Sequence, residues 1–196
     1  MIDPAANIAY LHSLRLRSRN YAAKRLLQPD REIAFLNSLK RALGENVYLI
    51  STGLGLDIYY LAETKKTGFI LEHLHLFYRN SDQKRIKMLK MEERSGRDVL
   101  HFFDTAIEDL SQHPQLFLSC CKKMISEFKT FGLDSSLNKL LHQNFTAQLN
   151  RLSRDERLPH AGKIGKLQAR EYVIIQEFID RSQKLRGDFF IEKHDN

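Results

Sequence analysis

His73 and His75 stand two residues apart in Leu71-Glu72-His73-Leu74-His75. In an extended strand, side chains two apart share a face, so the pair reads as two imidazoles on one side of a strand. Such a pair can hold a metal when further ligands converge. A carboxylate beside them can move protons, and Asp57, on the strand before, is the candidate. Asp57, His73 and His75 therefore form the candidate catalytic set of a hydrolase or transferase. Leu71 and Phe77 fall on the same face, which favours histidines held by hydrogen bonds in a half-buried layer. No metal and no cofactor is expected.

A second chemistry is the capture of anions. Arg15 and Arg19 near the start, Lys87 in a basic segment at 82–94, and Arg157, Lys163 and Lys166 near 158–166 are the candidate anion-binding residues. Lysines and arginines that neutralise a phosphate backbone release counterions and so gain affinity. The same residues can instead lay their stems over the core edge and leave the charge in water. Within His160-Ala161-Gly162-Lys163-Ile164-Gly165-Lys166, glycines and lysines precede a helix, a setting that can hold phosphate. It is not a P-loop: Ile164 follows Gly162-Lys163 where Ser or Thr is required.

Two further groups point inward or to solvent. Cys120 and Cys121 lie on one helical stripe with Phe117, Met124 and Phe128, so both read as small core hydrophobes rather than nucleophiles. The helix from Arg97 is acidic, and His101, Asp104 and Glu108 mark its outer side. A solvated face, or one that meets a basic partner, is the reading taken.

The elements that must position these residues follow from periodicity and punctuation. Asp3-Pro4 opens a first helix, running to about Leu27 with Tyr10, Leu11, Leu14 and Tyr21 on one face. A second helix, capped by Asp30, buries Ile33, Leu36, Leu39 and Leu43 and stops at Gly44. From Asn46 the texture changes to β-branched and aromatic residues. Runs at 47–50, 56–61 and 69–78, with glycines between, predict a three-stranded antiparallel meander over 46–79. Helical spacing then returns in the basic segment, in Arg97 to Ser111 with Val99, Phe103, Ala106, Ile107 and Leu110 inward, and from Pro114 to Phe131. A helix capped by Asp134 runs to about Leu152, a basic loop covers 153–165, and a last helix, apolar on two faces, ends near Gly187.

The expected fold class is α+β and mostly helical, with about seven helices and one small sheet. The expected organisation is one domain over 1–188: N-terminal helices 3–43, meander 46–79 and helical region 82–187. A partly ordered tail covers 189–196.

The chain has 196 residues, 42% of them hydrophobic and 28% charged, which is ordinary globular usage. Its two cysteines are adjacent and cannot bond without strain, so they suit a reducing, cytoplasmic compartment. No basic-then-apolar leader opens the sequence, and no apolar run reaches the ~20 residues of a membrane span. The net charge of +7 favours anionic partners but names none.

The leading expectation is a non-enzymatic protein-interaction module: an adaptor, a regulator, or a bacterial effector delivered into a host cell. The alternative is binding to nucleic acid or anionic lipid through the basic helices. A hydrolase or transferase using Asp57, His73 and His75 is the third.

Overall fold

Leu14 and Leu16 alternate with Ser13, Arg15 and Arg17, and this two-residue period places them in a strand. In the computed structural model, which describes residues 8–18, 25–77, 89–131 and 135–169, the first strand is β1 (Leu11–Ser18). There follow α1 (Pro29–Leu43), β2 (Val47–Thr52), β3 (Gly55–Leu61), α2 (Thr67–Phe77), β4 (Leu89–Ser95), α3 (Asp98–Ser111), α4 (Pro114–Phe131) and α5 (Ser136–Arg154). A further helical stretch occupies 161–169.

The strands form one antiparallel sheet in the order β2-β3-β1-β4. Its two faces carry separate cores. Leu14, Leu16, Val47, Leu49, Leu56 and Ile58 pack against Phe35 and Leu39 of α1 and Ile70 and Leu74 of α2. Leu11, Tyr48, Ile50 and Tyr59 pack against α3, α4 and α5 through Phe103, Phe117, Met124 and Phe145. The result is a sheet between a two-helix layer and a three-helix layer. A one-residue slip of β1 would drive Arg15 and Ser13 into the aliphatic face, so both cores hold the register.

Local chemistry sets several boundaries. Pro29 sits in the first turn of α1, where Asp30 and Glu32 complement the helix dipole. Gly44 ends the helix at φ 88°, a value that favours glycine. β2 and β3 join through a two-residue turn, Gly53-Leu54, closed by the Thr52–Gly55 pair. Gly55 has φ 146°, and a Cβ there would collide with the Leu16 carbonyl of the neighbouring strand.

The mixed α+β class is as expected, but its parts differ. There are six helices, counting 161–169, among the described residues, and four strands rather than three. Residues 11–18, expected within the first helix, are the strand β1, because both helical layers need its two faces. Residues 67–77, expected as a third strand from 69, are helix α2, because Ile70 and Leu74 at helical spacing seal the core. β4, expected as part of a basic helix, is one of the sheet's two outer strands among the described residues. In α1, Glu32, Phe35 and Leu39 face inward and Ile33 is 64% exposed.

The helices from Asp98 to Ser111 and from Pro114 to Phe131 lie where expected. All five predicted inward residues of the former are buried. Ser135 caps α5, its side chain accepting from the Asn138 amide. The start of the predicted first helix at Asp3-Pro4, the Asp134 cap, the last helix beyond residue 169 and the tail 189–196 lie outside the described residues.

Candidate functional site

Asp57 is buried on β3 directly opposite Arg15 of β1. Arg15 Nε donates to Asp57 Oδ1 at 2.8 Å, and Arg17 Nη2 donates to Oδ2 at 3.1 Å. Arg15 also donates to the Phe102 carbonyl at 3.1 Å and lies 3.6 Å above the Phe102 ring. The carboxylate is thus held between two guanidinium groups on the face covered by α3, α4 and α5.

His73 and His75 lie in α2, on the other side of the sheet. Two residues apart on a helix, they diverge by about 200°. His73 packs against Phe69 with the rings tilted by 36° and their centroids 4.1 Å apart. The proposed convergence with Asp57 therefore fails, because the sheet separates them. Among the described residues, no three His, Cys, Asp or Glu side chains gather as metal ligands.

The basic candidates separate in a similar way. Arg15 is 6% exposed and committed to Asp57, so it is no surface anion site. Arg19 and Lys87 lie outside the described residues. Arg157, Lys163 and Lys166 are exposed, as is Arg154. Arg154 ends α5, Arg157 lies in the turn that follows, and Lys163 and Lys166 lie in the stretch 161–169, which Ile164 anchors in the core.

On α3, Asn144 of α5 donates to Asp104 at 2.7 Å, and Arg151 pairs with Glu108. The predicted outer side of α3 is thus partly a seam between two helices. His101 remains exposed. Burial pushes the Cys120 thiol up to about 12 and raises Cys121 as well, as suits core hydrophobes.

One constellation went unseen in the sequence. His12 of β1 and Ser95 of β4 are cross-strand partners. His12 Nδ1 lies 2.8 Å from Ser95 Oγ, and His12 Nε2 lies 3.1 Å from the Ala62 carbonyl. A carbonyl can only accept, so a neutral ring carries its proton on Nε2 and offers the Nδ1 lone pair to the serine hydroxyl. Burial holds His12 below its ordinary value, and Lys65 adds to this, against the raising pull of the Ala62 carbonyl and Glu93. Tyr60 of β3 lies beside the imidazole, with centroids 5.4 Å apart. His12 and Ser95 are 83 residues apart. Only the β1–β4 register joins them, and the alternation in Leu14-Arg15-Leu16-Arg17 was the one signal that could have revealed β1.

The two sheet edges differ. β2 is buried along its whole length, and Lys123 of α4 pairs with Glu32 of α1 alongside it. β4 bonds to β1 on one side, and among the described residues no strand pairs with its other side. Gly96 N donates to Leu11 O. Antiparallel alternation therefore turns the amides and carbonyls of Lys90, Glu92 and Arg94 toward β1, and those of Met91 and Glu93 away from it.

Compared with known proteins, the chain matches no family model, no curated protein and no solved structure.

Proposed function

We propose that this chain is a protein-interaction module that receives an extended segment of a partner on the edge of β4 that no other strand among the described residues covers. The observation that carries the reading is the contrast between the edges: β2 is buried, whereas β4 presents the outward backbone groups of Met91 and Glu93. Backbone hydrogen bonds to an added strand supply affinity, and alternate side chains supply specificity. Met91 is 47% exposed, and Lys90 and Arg94 are exposed beside it, a mixture that suits a partner strand bearing apolar and acidic residues. The charges also guard the edge against indiscriminate pairing.

The test is selection of extended peptides from a displayed library against the intact chain. Met91→Pro removes an outward N–H, a position that an edge strand tolerates. Peptides that lose about tenfold or more in affinity for Met91→Pro, about 1.4 kcal/mol, and none for Lys139→Ala on α5, are the expected result. Peptides indifferent to Met91→Pro would contradict the reading.

A second reading rests on Arg154, Arg157, Lys163 and Lys166, four exposed cations between the end of α5 and the stretch 161–169. They suit a nucleic acid or an anionic lipid surface. Binding to duplex nucleic acid or anionic vesicles that falls steeply with salt, and weakens when Arg157 and Lys163 are neutralised, is its signature. Absence of binding at low salt would dismiss it.

A further inference from the structure

We propose that Ser95 and His12 form a nucleophile–base pair that takes up an acyl group from a small activated ester. Three observations carry the proposal, independently of the docking edge. The Oγ–Nδ1 separation of 2.8 Å is a hydrogen bond already in line for proton removal. The Ala62 carbonyl, 3.1 Å from Nε2, orients the ring and fixes the tautomer that leaves Nδ1 basic. Ser95, the last residue of β4, is half-buried, whereas the His12 imidazole is 7% exposed. The base is thus the more buried partner of the two.

The surroundings suit the chemistry. Glu93, two residues before Ser95 and on the same face, pairs with Lys65 at 3.6 Å, and the charges of both are felt at His12. After Ser95 the chain turns sharply through Gly96, at φ 65°, into α3, so the serine stands at a strand-to-helix corner.

The step balances without a co-reactant. Ser95 Oγ attacks the ester carbonyl carbon as its proton passes to His12 Nδ1. The bond from carbonyl carbon to leaving oxygen breaks, and the imidazolium returns that proton to the leaving oxygen. The products are acyl-Ser95 and a free alcohol. A half-buried serine favours small acyl groups on good leaving groups.

The experiment treats the full chain with p-nitrophenyl acetate and locates the acetyl group by peptide mapping. The expected result is one acetyl on Ser95, none in Ser95→Ala, and labelling about a hundredfold slower in His12→Gln, the low end of what a positioned base contributes. The labelling rate of the natural chain should rise with pH through a midpoint below the ordinary histidine value, and His12→Gln should lose that midpoint. The groups that face His12 and shape the profile are Tyr60 on β3, Lys65 after β3, and Glu93 on β4.

Ser95→Cys guards against misfolded variants. Its thiol should be alkylated by iodoacetamide near pH 6 faster than in the Ser95→Cys/His12→Gln pair, while buried Cys120 and Cys121 stay silent. Acetylation confined to lysines, or equal rates with and without His12, would overturn the proposal and leave the pair as a cross-strand hydrogen bond.

Discussion

The ammonium of Lys123, on α4, is bonded to the carboxylate of Glu32, on α1. The two helices lie on opposite faces of the sheet, so this ion pair straps the layers together beside the β2 edge. Glu32 is 5% exposed, and α1 would otherwise bury its carboxylate without a partner. Tyr48 and Glu127 extend the cluster: the phenol donates to Glu127 at 2.9 Å, and Lys123 lies 3.7 Å from Glu127.

Removing the cation should cost more than removing the pair. Lys123→Met leaves Glu32 buried and unpaired. Because the lysine side chain is 37% exposed, the loss is expected at about 1–2 kcal/mol, below that of a fully buried pair. Glu32→Gln in the Lys123→Met background should restore part of it. Urea denaturation of the natural chain, Lys123→Met, Glu32→Gln and the double variant measures the coupling, and equal losses in all variants would show no strap.

Arg15 and Asp57 make the stronger case, because both side chains are below a tenth exposed. Asp57→Ala leaves a buried guanidinium without its anion and should lose about 3–5 kcal/mol. Arg15→Met with Asp57→Ala should recover much of this. A double-mutant cycle with no interaction term would refute the assignment of the pair as a single buried unit.

His12 gives stability a pH dependence of definite sign. Its folded value is depressed by burial, so the unfolded chain takes up the proton first as pH falls. Its contribution is fully present above the unfolded value, about 6.5, and is lost as pH falls from there toward the lower folded value. The urea midpoint of the natural chain, compared with that of His12→Gln, should decline between neutrality and pH 5. A difference independent of pH would show that the ring is not held neutral.

The thiols report opening of the α4 core. With Cys120 pushed up to about 12 and Cys121 raised by burial, neither should react with a disulfide reagent at pH 8 in the folded chain. Both should react on unfolding. Rapid reaction under native conditions would show that α4 is not packed as described.

Helices were legible where punctuation and period agreed. Pro114 marks the start of α4, and the spacing of Val99, Phe103, Ala106 and Leu110 admits only a helix face in α3. β1 was hidden because Leu11 and Leu14 also fit a helix. The decisive feature, Arg15 facing inward, depends on Asp57, which is distant in sequence. α2 was hidden for the converse reason. Alternating Leu71, His73, His75 and Phe77 imitate a strand, whereas Ile70 and Leu74 carry the burial. Tertiary packing overrode local pattern in both. The candidate sites inherited those errors: a histidine pair lost its shared face, and an arginine read as a surface charge entered the core. The His12–Ser95 pair exists only through strand register, which no local motif encodes.

The openness of the β4 edge is the central claim, and amide hydrogen exchange of the free chain tests it most directly. The amides of Lys90 and Glu92, turned toward β1, should be protected. Those of Met91 and Glu93, turned outward, should exchange at nearly the rate of an open chain. Uniform protection across Leu89–Ser95 would mean that the edge is already covered, and would contradict the account.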